Sequence, residues 1–239
     1  MLMSHAALPL AMLLLRFSKF SSKPHVIHYA YLKGVAKYLR TTKHWGIRFK
    51  RSVIRPELPP GTYDDRLDLP DSLSFPIDTN KPELLCFVDA AYANDLRKRR
   101  STTGVCFTFC GGAIVYRSKT QGVNALSSTE AEFIAACSAA KIALYIRSLL
   151  KELGYPPRGP TRIYEDNAST IQIVNARVPT ERTRHIDIRF FAIQTWKEDN
   201  LILLTHIKGI LNPSDDLTKP LGWVLHSRHA RRLMGHYRH

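Results

Sequence analysis

The chain has 239 residues and carries 35 lysine and arginine residues against 20 aspartate and glutamate residues, a formal net charge of +15 at pH 7. A hydrophobic fraction of 44% with a charged fraction of 23% is typical of a globular protein and excludes a disordered one. The isoelectric point near 9.9 favours a polyanionic partner, and nucleic acid is the first choice.

The N-terminal part of the chain is basic. Residues 1–56 contain eleven lysine or arginine residues and no acidic residue. The apolar run at residues 1–20 is short and contains Pro9, so we expect a packed helix and no membrane-spanning segment, with a signal peptide as the alternative. Within residues 25–51 apolar side chains recur at helical spacing with basic side chains between them, which predicts a basic helical hairpin. Residues 57–82 are rich in proline and aspartate and predict a linker or a short hairpin.

From Lys81 onward the pattern predicts the order β-β-β-α-β-α-α-β-α, a mixed sheet with helices packed on it. The run LLCFVD is typical of a strand buried on both faces. VCFTFC and AIVYRSK predict a hairpin that turns at Gly111-Gly112. A long helix is expected from Ser127 to about Leu153, then a strand at TRIYED, two helices, a strand at NLILLTHI and a helix from Pro213.

The cysteines give a prediction about the compartment. No CxxC pair is formed by the four cysteines, Cys86, Cys106, Cys110 and Cys137. Cys86 and Cys106 lie in apolar runs that predict buried strands. Buried, reduced thiols are therefore expected, as in a cytoplasmic or nuclear protein rather than a secreted one.

Acidic residues stand in four separate apolar or small-residue settings, at Asp89, Glu132, Asp166 and the pair Asp215 and Asp216. Ser127 and Glu130 match a capping box, and Glu132 lies about 200° further around the helix, so we assign Glu132 to the site. Spacing alone does not choose between Asp215 and Asp216, because either carboxylate could interact favourably with the helix dipole instead of entering the site. Gathered carboxylates repel one another without cations. The pattern therefore predicts two Mg²⁺ ions, or Mn²⁺, placed over a phosphodiester.

Long runs of the sequence resemble the ribonuclease H domain of copia-type retrotransposon polyproteins. The resemblance covers residues 83–222 and is carried by FVDAAYANDLRKRRSTTGVCFTFCGGAIVYRSKTQGVNALSSTEAEFIAACSAAKIAL, IYEDNAST, TRHIDIRFFAI and NPSDDLTKPLG. It implies an α/β, RNase H-like fold, in which a five-stranded mixed sheet of three antiparallel and then parallel strands is flanked by helices. It also implies cleavage of the RNA strand of an RNA/DNA hybrid, with two Mg²⁺ ions held by Asp89, Glu132, Asp166 and Asp215.

The sequence departs from the usual family pattern at two places, and it carries one histidine that could take part in proton transfer. Ala91 stands where the family usually has aspartate, and Phe190-Phe191-Ala192 replaces the usual Y-H-F. Neither change removes an expected metal ligand. His206 precedes Lys208-Gly209, where other ribonucleases H carry a proton-shuttling histidine, and an ordinary surface histidine is the alternative.

Further side chains are expected to hold the substrate. Hydroxyl and amide groups suit the 2′-hydroxyls that mark an RNA strand, with helix capping as the alternative role, and they belong to Ser128, Thr129 and Asn167. Basic groups suit phosphates, with a solvated face as the alternative, and they belong to Arg99, Arg100, Arg117 and Lys119. The basic tail, residues 223–239, adds Arg228, Arg231 and Arg232 on a predicted helix.

The N-terminal stretch SKFSSKPHVIHYAYLKGVAKYLRTTKHWGIRF resembles the connection between polymerase and ribonuclease H in the same polyproteins. The resemblance divides the chain into a helical connection remnant (1–56), a linker (57–82), a nuclease domain (83–222) and a basic tail (223–239). It implies the reverse transcriptase polymerase domain as a partner, in a cytoplasmic retrotransposon particle or the nucleus. A catalytically silent nucleic-acid-binding remnant is the alternative function. An integrase is disfavoured, because its acids run in the order D, D, E.

Overall fold

The computed structural model describes residues 17–18, 20–43, 46–47, 49, 82–176 and 187–235. The elements in chain order are α1 (Val26–Thr42), β1 (Leu85–Ala91), β2 (Thr102–Phe109), β3 (Gly112–Thr120), α2 (Ser128–Glu152), β4 (Thr161–Glu165), α3 (Ala168–Asn175), α4 (Asp187–Glu198), β5 (Ile202–His206) and α5 (Trp223–Leu233). Two short 3-10 helices, Gly209–Leu211 and Pro213–Leu217, connect β5 to α5. The start of the chain, residues 1–16, and all but Pro82 of the predicted linker lie outside the described residues.

The five strands form one mixed sheet in the order β3-β2-β1-β4-β5. β1, β2 and β3 pair antiparallel, and β4 is parallel to both β1 and β5. This arrangement confirms the RNase H-like sheet of three antiparallel and then parallel strands that was expected from the sequence. The helix predicted from Pro213 is shorter than expected, a 3-10 helix of five residues.

The turn between β2 and β3 lies one residue earlier than predicted. Its two central residues are Cys110 and Gly111, with φ angles of 49° and 80°, whereas Gly112 already pairs with Phe109 as the first residue of β3. Two consecutive positive φ angles are the mark of a type I′ turn, which suits the twist of a hairpin. Glycine adopts the second of them without steric cost.

The side chains of β1 alternate between the two faces of the sheet. Cys86 and Val88 belong to the main core cluster beneath α2. Leu85 and Phe87 belong to a smaller cluster on the other face, with Tyr164, Ile207 and Leu211. Burial on both faces explains the continuous apolar run, as the sequence predicted. The same alternation sends Asp89 to the face that the 3-10 helices cover.

Helix α2 packs on β1 and β2, on the face of the sheet that carries Cys86 and Val88, and α3 and α4 pack beside it. Among the described helices only α2 is long and apolar enough to cross a membrane, with a mean hydropathy of 1.5 over its most apolar window. Half of that window is buried inside the fold. The apolar character of α2 is therefore accounted for by its place in the core.

Helix α1 forms within the predicted N-terminal hairpin, but its apolar side chains remain largely outside the core. Ile27 and Tyr31 are 58% and 60% exposed. Near the C-terminal end of α1, the Tyr38 hydroxyl lies 3.3 Å from Nε2 of His226 on α5.

In α5, Arg232 is buried, so this arginine does not offer the exposed phosphate contact that the sequence suggested.

Candidate active site

Three aspartates from three elements meet at one end of the sheet. Asp89 comes from β1, Asp166 directly follows β4, and Asp215 comes from the 3-10 helix Pro213–Leu217. A carboxylate oxygen of each lies within 4.8 Å of the other two. β1 and β4 are parallel neighbours, so acids near their carboxyl ends reach the same edge of the sheet. Asp89 lies within β1 rather than at its last residue, because the strand continues to Ala91.

A second group of carboxylates adjoins the first. Oxygens of Glu132 on α2, Glu165 at the end of β4 and Asp166 also lie within 4.8 Å of one another. Asp166 belongs to both groups. The four acids expected from the sequence therefore fall into two overlapping sets, and Glu165 is an addition to them.

The first turn of α2 determines which of its glutamates enters the site. The Ser127 hydroxyl accepts a hydrogen bond from the Glu130 amide at 3.1 Å, and the Glu130 carboxylate accepts one from the Leu126 amide at 2.7 Å. Glu130 thus caps the helix, as predicted, although it reaches Leu126 rather than the N-cap residue itself. Glu132 is left to face the other acids, and its carboxylate accepts a hydrogen bond from the backbone of Ala90.

Side chains hold the 3-10 helix that carries Asp215 against the sheet. The Asn212 amide donates to the Val88 carbonyl at 2.8 Å, and the Ser118 hydroxyl donates to the Leu217 carbonyl at 2.6 Å. The Thr218 hydroxyl donates to the Asp89 carboxylate. This segment is therefore anchored to β1 and β3 directly beside the acids.

The same segment separates the two adjacent aspartates. Asp216 points away from the group, and its Oδ1 lies 3.0 Å from Nδ1 of His226. Asp215 alone of the pair joins Asp89 and Asp166. The choice that sequence spacing left open is thus made by the direction of the two side chains.

The site is electrostatically unfavourable as a set of bare acids. Burial, followed by the charge of Asp89, raises the pKa of Asp215 to about 7 and also raises the pKa of Asp166. Burial raises the pKa of Glu132, and the neighbouring Glu165 carboxylate raises it further. Desolvation and mutual repulsion therefore disfavour full ionisation of the group.

The donor set fits hard divalent cations. The Oε2 atoms of Glu132 and Glu165 are buried without a hydrogen-bond partner among the described residues. Every donor in the two groups is a carboxylate oxygen, the type that Mg²⁺ and Mn²⁺ prefer. Cations bound here would satisfy the orphaned oxygens and offset the repulsion between the acids.

A lysine also approaches the group. Nζ of Lys219 lies 2.9 Å from Oδ1 of Asp215, and the lysine side chain is 46% exposed. Its ammonium interacts with the charges of Asp89, Asp215 and Asp166. Lys219 therefore offsets part of the repulsion, and it would compete with a metal ion for Asp215.

We expect Lys219→Met to strengthen Mn²⁺ binding, because the variant removes an ammonium that pairs with Asp215 and would repel the ion. The gain should be about tenfold, equivalent to about 1.4 kcal/mol, because solvent screens the partly exposed ammonium. Calorimetric titration of Mn²⁺ into the purified protein measures the change. Lys151→Met, at the exposed end of α2, is the matched control and should bind Mn²⁺ as wild type does. Unchanged or weaker binding by Lys219→Met would contradict the competition.

The residues predicted to contact sugars border the acids, and one of them has a capping role. Asn167 accepts a hydrogen bond from the Thr170 amide at 3.0 Å and is the N-cap of α3. Ser128 is exposed in the first turn of α2, and Thr129 is half-buried. His206 is the exposed last residue of β5, and its charge favours the ionised form of Asp166.

The predicted basic residues fall into two places. Arg99 and Arg100 lie in the loop after β1, where Arg99 has a φ of 53°. Arg117 and Lys119 are exposed on β3 and line a cavity of about 260 Å³ with Lys141 of α2 and Arg189 of α4. Sequence reasoning missed Lys141 and Arg189, because nothing along the chain connects these helices with β3. It also missed Lys219, which stands inside the motif DDLTKPLG.

The chain is similar in sequence to parts of several known proteins. The retrovirus-related Pol polyprotein from transposon TNT 1-94 of Nicotiana tabacum is 33% identical over 202 residues, 84% of this chain. The Pol polyprotein from transposon RE2 of Arabidopsis thaliana is 27% identical over 91% of this chain. This chain spans 13% of the length of each of these two polyproteins. The secreted RxLR effector protein 161 of Plasmopara viticola is 33% identical over 129 residues, 54% of this chain and 72% of the effector.

No family profile matches the chain. Among solved structures, LC11-RNase H1, isolated from compost, is similar with a TM-score of 0.45 and 15% identity over 58% of this chain and 94% of that one. The sequence matches to the two transposon polyproteins cover most of this chain. The chain belongs to the family of retrovirus-related Pol polyproteins from plant transposons.

Proposed function

We propose that the chain is a metal-dependent ribonuclease H that hydrolyses the RNA strand of RNA/DNA hybrids within a copia-type polyprotein. The observation that carries this proposal is the pair of overlapping carboxylate groups that share Asp166. They lie in a chain whose net charge of +15 suits a nucleic acid. Membership of the Pol polyprotein family supports the same class of substrate.

The acids have distinct places in this proposal. Asp89, Asp166 and Asp215 would hold one Mg²⁺ ion, and Glu132 with Asp166 would contribute to a second, with Mn²⁺ as a substitute. When bound, a pair of such ions supplies an activated water and stabilises the leaving oxygen of the phosphodiester. The Thr218 hydroxyl would orient Asp89. The exposed His206 would exchange protons with solvent beside Asp166.

The experiment that tests this function is cleavage of a strand-labelled RNA/DNA hybrid by purified protein in Mg²⁺, Mn²⁺ or EDTA. Cleavage of the RNA strand alone that requires metal is the expected result, with DNA duplex of the same sequence left intact. Hybrid binding without cleavage, by a folded sample, would instead make the chain a non-catalytic nucleic-acid-binding protein.

Substrate phosphates have a candidate location in the cavity lined by Arg117, Lys119, Lys141 and Arg189. Four cations from three elements surround it, and two of them are on the edge strand β3. Ser128 and Thr129 lie at the start of α2, beside Glu132, and are proposed to contact the sugars of the RNA strand. Arg99 and Arg100 would add phosphate contacts from the loop after β1.

We expect the double variant Arg117→Gln with Lys119→Gln to make the negative slope of log affinity against log salt shallower by about 1.8, since each lost phosphate contact removes about 0.9. Fluorescence anisotropy with a labelled hybrid at several salt concentrations measures this slope. Lys151→Gln with Arg158→Gln removes two exposed charges elsewhere and should leave the slope unchanged. An unchanged slope in the first double variant would contradict phosphate contacts at this cavity.

A further inference from the structure

Glu165 is a buried acid with no role in the function proposed above. It is the last residue of β4 and has 0% exposure. One of its oxygens, Oε1, accepts a hydrogen bond from the Asn167 amide at 3.0 Å. The other, Oε2, is buried without a hydrogen-bond partner among the described residues. A buried carboxylate oxygen without a partner is costly, so its position requires a physical reason.

The direction of Glu165 follows from the alternation of β4. Ile163, two residues earlier, packs in the core cluster under α2, whereas Tyr164 packs in the cluster on the opposite face. Glu165 therefore shares the face of Ile163, which is the face that carries Glu132 on α2. Asp166 follows the strand and reaches the other aspartates as well. Of these two consecutive acids, Glu165 belongs only to the group beside α2, whereas Asp166 belongs to both groups.

The backbone fixes Glu165 in this orientation. The hydrogen bond from Asn167 holds Oε1 toward the chain, which itself turns into α3 with Asn167 as N-cap. Carboxylate oxygens of Glu165, Glu132 and Asp166 lie within 4.8 Å of one another. Glu132 likewise has an unpartnered buried oxygen, its Oε2, at the same place. Two orphaned oxygens beside a third carboxylate make a set of ligands arranged for a hard cation.

We propose that Glu165 is a fifth metal-binding carboxylate, which holds a divalent cation together with Glu132 and Asp166. This inference rests on the proposed function, because it concerns the ions of the same site. Asp89 and Asp215 bind the neighbouring ion from the opposite face of the sheet. Without Glu165, only Glu132 and Asp166 would bind the second ion, and Glu165 supplies its third carboxylate ligand. The competing account is structural: Glu165 and Glu132 share a proton and bind no ion.

Metal titration of Glu165→Gln separates the two accounts. Glutamine keeps the size of the side chain and an oxygen that can accept from the Asn167 amide, but it removes the charge. We expect the variant to lose one of two bound Mn²⁺ ions, or to bind it at least about tenfold more weakly. Free Mn²⁺ followed by electron paramagnetic resonance measures stoichiometry and affinity without any turnover.

The matched control is Glu152→Gln, which removes one carboxylate from the exposed end of α2 and should titrate as wild type does. Thermal unfolding in EDTA should show Glu165→Gln to be at least as stable as wild type, because the variant relieves repulsion. If wild type binds Mn²⁺ and Glu165→Gln binds it equally, the shared-proton account stands and the inference is overturned, while the proposed function survives. If wild type binds no Mn²⁺, the proposed function fails together with the inference.

Discussion

Asp166→Asn is expected to lower the rate of hybrid cleavage by about a thousandfold or more, equivalent to at least about 4 kcal/mol of transition-state stabilisation. Asp166 is the single residue that belongs to both carboxylate groups, so in the proposed site its loss would weaken the binding of both ions. Asparagine has nearly the same shape as aspartate, and the change removes charge without creating a cavity. Single-turnover cleavage of a labelled hybrid in saturating Mg²⁺ measures the effect.

Two controls distinguish lost chemistry from lost folding. Asp199→Asn changes an exposed aspartate in the turn after α4 and should retain wild-type cleavage. Asp166→Asn should unfold in EDTA at the same temperature as wild type or higher, because burial and Asp89 raise the pKa of Asp166. Such a carboxyl resists ionisation, so removing its charge costs the metal-free protein no stability at neutral pH. Cleavage within tenfold of wild type would exclude Asp166 from the metal site.

The fold was predictable where a local pattern has one physical reading. The apolar run of β1 required burial on both faces, and the capping box at Ser127 and Glu130 determined where α2 begins. The predicted position of the hairpin turn was one residue too late, because the adjacent Gly111 and Gly112 gave the same local signal for a turn. The cysteine at position 110 accepts a positive φ that its residue type does not announce. The exposed face of α1 shows that helical periodicity predicts a helix without stating what covers it.

The site was predictable only in part, because its geometry depends on tertiary contacts. Sequence reasoning separated Glu132 from Glu130, since the helix rotation between them is fixed. It could not choose between Asp215 and Asp216 from spacing, because the answer depends on how Asn212 and Ser118 anchor the 3-10 helix. Glu165 was adjacent to an expected ligand, but only the alternation of β4 and its packing against α2 bring it to Glu132.

Gly104→Ala is expected to destabilise the protein by about 1–3 kcal/mol and to weaken metal binding at the same time. Gly104 of β2 pairs with Asp89 of β1. A Cβ atom at this position would lie 2.8 Å from the Ser214 carbonyl oxygen, 2.6 Å from Cγ2 of Thr218 and 2.9 Å from Cβ of Leu217. The added methyl group must therefore displace the 3-10 helix that carries Asp215, or displace β2 itself.

Urea unfolding in EDTA and Mn²⁺ titration measure the two effects on the same samples. Gly159→Ala, in the connection from α2 to β4, is the matched control, because a Cβ there meets nothing within 4 Å. It should differ from wild type by less than about 0.5 kcal/mol. If Gly104→Ala is destabilised but binds Mn²⁺ as well as wild type does, then the 3-10 helix that carries Asp215 can move relative to β2 without loss of metal binding. Loss of both together would show that contact of the 3-10 helix with β2 sets the distance between Asp215 and Asp89. The absence of a side chain at position 104 would then be a requirement of the metal site as much as of the sheet.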